Sequence, residues 1–170
     1  MAGVEFNDVQ LSFQEFGAKR QEKGWAPFCV VPLLEQGDFK LNGTPAICQY
    51  LGKEFKLWPE SPKDDATALS LFLFMEDSRT AYVKALFGKE EDKPANLQAA
   101  KECFAKFEAN FLAHVGEKKF LFGDKVNIID VLMWDFLHHF ALAVNGELKD
   151  SKEYYDRVSA QDVVAPYLKK

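Results

Sequence analysis

Few residues in this 170-residue chain pair a ligand-holding group with a local setting that commits it. The clearest is Thr44, followed at once by Pro45. Thr is a good N-cap, and Pro suits the first helical position, where its missing N–H costs nothing. A hydroxyl and a backbone N–H at a helix N-terminus also attract an anion, and capping and anion binding can hold together. Pro32, inside the apolar run Val30-Val31-Pro32-Leu33-Leu34, reads by itself as a trans proline ending an edge strand. Asp77 reads as part of a solvated helix face on which Glu76 and Arg79 pair at i,i+3. Arg20 reads as exposed charge. His138-His139 does not make a metal site, because adjacent residues on a helix point in different directions and no third ligand sits at metal spacing.

Three cysteines, Cys29, Cys48 and Cys103, match no metal template. An odd number set among apolar residues predicts small buried hydrophobes rather than disulfides, and a reducing, cytoplasmic compartment. The formal charge is -5, and no basic run is longer than a pair such as Lys118-Lys119 or Lys169-Lys170. Nucleic acid needs clustered Lys and Arg, so it is not an expected partner. No apolar stretch reaches the ~18 residues of a membrane span, and the first residues lack the basic start and apolar run of a signal peptide. Hydrophobic residues at 48% and charged residues at 28% fit a globular chain with a real core. Disorder is expected only at the ends and over residues 88–93.

The elements that must position these groups change character near residue 58. Before it lie short β-type segments. Residues 4–11 alternate loosely as a strand, residues 28–35 form an apolar strand interrupted by Pro32, Gln36-Gly37-Asp38 reads as a hairpin turn, and residues 39–41 return. A helix then runs from Thr44 to about Glu54. Trp58-Pro59-Glu60-Ser61-Pro62 is a turn or linker. Long helices are expected at 64–87, at 94–115 with apolar positions every three or four residues, and at 128–144. Asn127 caps the last of these, Asp130 reaches back to it, and Val126 and Val131 occupy staple positions. Shorter helices cover 152–160 and 163–168. The domains are placed at 1–57 and 63–170.

A small α/β unit, a proline linker and an all-helical domain with a capped, buried helix resemble cytosolic glutathione transferases. The local sequence resembles them too: Val30-Val31-Pro32-Leu33-Leu34-Glu35 for the strand with a cis-proline, and Thr44-Pro45-Ala46-Ile47 for the Gln-Ser-x-Ala-Ile segment. Phe122-Gly123-Asp124 through Asn127 and Asp130 resembles the capping-box segment, and Tyr155 to Ala160 the late C-terminal helix. The resemblance is closest to the sigma, alpha, mu and pi group, with sigma preferred. The fold implied is α+β and mostly helical, a truncated thioredoxin-like unit followed by an all-α domain.

The resemblance implies glutathione as co-substrate, no metal, a small hydrophobic electrophile as second substrate, and a homodimer. It implies a cis Val31–Pro32 bond whose Val31 backbone meets the cysteinyl part of glutathione, and a γ-glutamyl carboxylate at Thr44. Gly43 stands where the family usually has Gln, which removes one side-chain ligand. Arg20, or Lys19 or Lys23 in its stead, would meet the glycyl carboxylate near Trp25. Asp77 would reach the γ-glutamyl ammonium in the partner subunit. Family members also carry, ahead of the point matching Gly3, a strand whose Tyr or Ser hydrogen-bonds the glutathione sulfur and favours thiolate, the nucleophile. No hydroxyl here matches that motif, so no catalytic residue is assigned. Loosening of the first unit, direct pairing of residues 4–11 with the Pro32 strand, or strand donation by a partner would follow. The expected functions are glutathione conjugation or glutathione-dependent isomerisation, and alternatively a non-catalytic ligand-binding or structural relative.

Overall fold

The computed structural model describes residues 1–141 and 148–169. The chain divides into two compact units, Met1–Leu57 and Trp58–Lys170.

The first unit is built from α1 (Phe13–Lys19), β1 (Leu33–Gln36), β2 (Phe39–Asn42) and α2 (Thr44–Glu54). Residues 4–11, expected as a strand, lie in neither helix nor strand, and Phe6 and Val9 stand exposed. The cause is the lack of a neighbour: a lone strand gains no ladder and leaves its N–H and C=O groups to water. Direct pairing with the Pro32 segment does not occur among the described residues, because the sheet has two strands, β1 and β2. Sequence reading also passed over α1. Its start is a capping box in which the Glu15 N–H donates to Ser12 Oγ (3.2 Å) and the Ser12 N–H to Glu15 Oε2 (2.8 Å).

The hairpin register pairs Leu33 with Asn42 and Gln36 with Phe39, leaving Gly37 and Asp38 as a two-residue loop. Gly37 has φ 59, the positive value that a tight hairpin of this length asks of its first turn residue. The ladder begins at Leu33, so the strand expected from residue 28 is shorter, and Val31 lies outside it.

In the second unit, Ser61 caps α3 (Pro62–Phe87), accepting from the Asp64 N–H at 3.1 Å, with Pro62 at the first helical position. Trp58 is buried and its indole N–H donates to Asp65 at 2.8 Å. Residues 88–93, expected as disordered, include a single 3-10 turn, Glu90–Asp92, leading into α4 (Lys93–Val115). The core is aromatic: Phe107 of α4 meets Phe136 at 4.8 Å edge-on, Phe104 meets Phe140 at 5.5 Å, and Phe111 meets Tyr154 at 4.9 Å.

The capped helix α5 (Ile128–Phe136) passes into a π-helical segment, Leu137–Ala141. Residues 142–144 of the expected helix lie outside the described residues. Asn127 Oδ1 accepts from the Ile129 and Asp130 N–H groups, and Asp130 Oδ2 accepts from the Asn127 N–H at 2.9 Å. Asp130 is fully buried, and its other oxygen accepts from the Leu121 N–H (2.9 Å) and the Tyr154 hydroxyl (2.7 Å). It thus ties α5 to the loop before it and to α6 (Lys152–Ser159). Burial raises the Asp130 pKa, opposed by these hydrogen bonds, and burial beside that carboxyl pushes Tyr154 well up. A 3-10 turn, Ala165–Lys169, follows α6. No helix among the described residues is long and apolar enough to cross a membrane.

Candidate ligand-binding site

The polar notch of the first unit is assembled where β2 ends and α2 begins. Pairing Leu33 with Asn42 brings the residue before β1, Pro32, level with the residue after β2, Gly43. The Gly43 N–H then donates to the Pro32 carbonyl at 3.2 Å. The Val31–Pro32 peptide is cis, as the resemblance implied. Val31 is half-exposed, and its backbone is not taken up by the β1–β2 ladder.

Thr44 is not the N-cap that the sequence predicted. Gly43 holds that place and Thr44 is the first helical residue, with Pro45 second. The reason is backbone geometry. The chain leaves the extended strand at φ 89 and ψ 127, a conformation that favours glycine, so the turn into the helix falls one residue early. Gly43 offers no side-chain cap, so the first-turn N–H groups of Thr44 and Ala46 are left without one. A partly buried hydroxyl on Thr44 lies beside them. Uncapped N–H groups, the positive end of the helix dipole and a hydroxyl that is not a cap together suit a carboxylate.

The approach to Pro32 is held by a residue that sequence reading missed. Asn42 is 7% exposed; its Nδ2 donates to the Val30 carbonyl (2.6 Å) and its Oδ1 accepts from the Phe28 N–H (3.2 Å). In the sequence, Asn42-Gly43 carries the signature of a turn, which hides an inward-facing amide. Cys29, between those two partners, has φ 51.

Arg20 and Lys23 line an open cleft of about 870 Å³ with Cys29, Phe39 and Lys40. Arg20 also lies over the Phe16 ring at 5.5 Å. Trp25 packs edge-on to Phe16 at 6.1 Å, and its carbonyl accepts from Lys40 Nζ at 2.9 Å, so its ring is used locally. Lys40 Nζ also pairs with Glu35 at 3.0 Å. The first unit therefore brings Val31, Pro32, Gly43 and Thr44 into one notch, with Arg20 in the cleft.

Asp77 is exposed on α3 in the second unit. Its neighbours Glu76 and Arg79 form the i,i+3 ion pair at 3.4 Å. The three cysteines form no disulfide among the described residues and are half-buried, less enclosed than the sequence predicted. His138 Nδ1 lies 2.7 Å from the Tyr155 hydroxyl, while His139 faces Asp135. No group of three or more His, Cys, Asp or Glu residues that could hold a metal occurs among the described residues.

The family profile described as "Glutathione S-transferase, C-terminal domain" matches residues 76–170. Over 145 residues the chain is 27% identical to "Glutathione S-transferase" of Dermatophagoides pteronyssinus, covering 82% of this chain and 64% of that protein. Over 145 residues it is 31% identical to "Glutathione S-transferase 1" of Ascaris suum, covering 80% of this chain and 68% of that protein. The chain thus spans about two thirds of these relatives. A solved nematode glutathione transferase from C. elegans shares the fold at a TM-score of 0.84 and 22% identity, over 99% of this chain and 86% of that one. The notch at Thr44, the capped helix of the second unit and these similarities converge: the chain belongs to the glutathione S-transferase family.

Proposed function

We propose that this chain binds glutathione in the notch between Val31–Pro32 and the start of α2, as the binding unit of a cytoplasmic glutathione transferase. The observation that carries the reading is the Gly43 N–H to Pro32 carbonyl bond of 3.2 Å, which sets the Val31 peptide beside the uncapped helix end at Thr44. In this reading, the γ-glutamyl carboxylate takes the Thr44 N–H and hydroxyl. The Val31 backbone pairs with the cysteinyl amide, as an added strand pairs with a sheet edge. Arg20 meets the glycyl carboxylate, and Asp77 of a second subunit the γ-glutamyl ammonium.

The chemistry would be attack of glutathione thiolate on a small hydrophobic electrophile, or thiol-assisted isomerisation. What these residues contribute is binding and orientation of the tripeptide. A second, non-catalytic reading is favoured by Gly43, which supplies no side-chain ligand and has the backbone of a glycine-specific turn. Calorimetry with glutathione tests the binding half: saturable heat at millimolar ligand is expected, and its absence removes the reading. A conjugation assay with a chloronitrobenzene acceptor then separates catalyst from binder.

A further inference from the structure

The segment leading to Pro32 has little of its own to hold it. Phe28, Val30 and Val31 are 76%, 43% and 50% exposed, so apolar burial does not fix their backbone. The ladder starts only at Leu33. Between Phe28 and Val30 the chain reverses through Cys29 at φ 51, a conformation that a non-glycine residue holds only when its surroundings impose it.

Both sides of that reversal are gripped by one side chain. Asn42 accepts from the Phe28 N–H and donates to the Val30 carbonyl, and so pairs that backbone much as a ladder would. An amide is the group that offers a donor and an acceptor on one short, flat arm. The opposite amide orientation would set N–H against N–H and oxygen against oxygen. At 7% exposure the arm is sheltered from competing water. Its own backbone is anchored by pairing with Leu33 on one side and by the N-cap Gly43 on the other. The residue that closes the sheet therefore also sets the direction in which the next peptide, Val31, presents its N–H and C=O.

We infer that Asn42 is a positioning residue for the ligand notch: it fixes the 28–31 backbone so that the Val31 peptide faces the Thr44 end of α2. This rests on the glutathione reading for its ligand, but the backbone claim stands apart from it.

The test measures two things on the full chain: glutathione affinity by calorimetry, and amide hydrogen exchange over residues 28–33 without ligand. Asn42→Ala removes both bonds. Asn42→Asp keeps the acceptor for Phe28 but sets a carboxylate against the Val30 carbonyl, and it serves where Asn42→Ala does not fold. Thr44→Val is the comparison. The expected result is a loss of affinity of about tenfold in either Asn42 variant, the scale of one buried hydrogen bond. Exchange at the Phe28 amide, which donates to Asn42, should quicken by a similar factor in Asn42→Ala, while α3 to α6 stay protected. Thr44→Val should lower affinity and leave that exchange unchanged. Wild-type affinity in the Asn42 variants, or unchanged exchange at the Phe28 amide in Asn42→Ala, overturns the inference. If the unaltered chain binds no glutathione, the functional reading falls, and the exchange result alone decides whether Asn42 orders the segment.

Discussion

The Pro32 carbonyl accepts a hydrogen bond from the Gly43 N–H at 3.2 Å, one step beyond the last ladder pair, Leu33 with Asn42. That bond converts a two-stranded hairpin into a notch. Without it, the peptide ahead of β1 and the first turn of α2 would be neighbours in topology only. Its donor sits on a residue at φ 89, so the notch depends on the backbone freedom of Gly43 as well as on the ladder.

Replacing Gly43 should be costly for that reason. A Cβ there meets nothing within 4 Å, so the penalty is conformational rather than steric crowding. Gly43→Ala is expected to destabilise the first unit by about 1–2 kcal/mol, the cost of a left-handed residue with a side chain. Urea unfolding followed by the Trp25 environment measures it. An unchanged midpoint would mean that the turn can relax to another backbone form.

The aromatic core of the second unit makes a larger prediction. Phe107 is wholly buried and packs on Phe74, Phe104, Phe111 and Phe136. Phe107→Ala should lose about 3–5 kcal/mol, a transfer cost plus a cavity cost. Chemical denaturation gives the value, and a loss under 1 kcal/mol would contradict this packing.

Asn127→Ala removes the acceptor for two N–H groups at the start of α5 and should cost about 1 kcal/mol. Asp130→Ala should cost more, because three donors, the Leu121 and Asn127 N–H groups and the Tyr154 hydroxyl, lose their partner in a buried place. The order of the two melting temperatures is the check.

His114 should confer a pH dependence. Its Nε2 is buried without a hydrogen-bond partner. Burial, then the charge of Lys118, lowers its pKa, against opposing effects of Asp64 and the Leu121 backbone. In the window between that lowered pKa and about 6.5, the unfolded chain binds a proton that the folded chain does not. Stability therefore rises with pH toward 6.5 and falls as pH drops through the window. His114→Phe should flatten that slope in denaturation curves taken between pH 5 and 7, and a slope left intact would assign it to other groups.

The helices of the second unit were legible because their signals are local. Asn127 and Asp130 form a capping box, and the Phe spacing of α4 repeats at three and four, whereas Ser61-Pro62, expected as linker, is the cap and first residue of α3. The first unit was harder for a physical reason. A strand is defined by its partner, so residues 4–11 alternate like one and yet pair with nothing among the described residues. Thr44 carried the chemistry of a cap, but the left-handed turn at Gly43 took the capping position. Asn42 could not be read at all, since Asn before Gly signals a turn whether its amide faces water or, as here, bridges two peptides. The residues of the notch were nameable by resemblance; what holds them in place became visible only in the hydrogen bonds.

The most direct test of the account is an amide-resolved NMR titration of the full chain with reduced glutathione, repeated for Thr44→Val. Saturable shifts centred on the Val31, Gly43 and Thr44 amides are expected, with affinity about tenfold weaker in the variant, the scale of a hydrogen bond to a charged group. Saturable shifts confined to surfaces away from that notch, or no shift at millimolar glutathione, would contradict it.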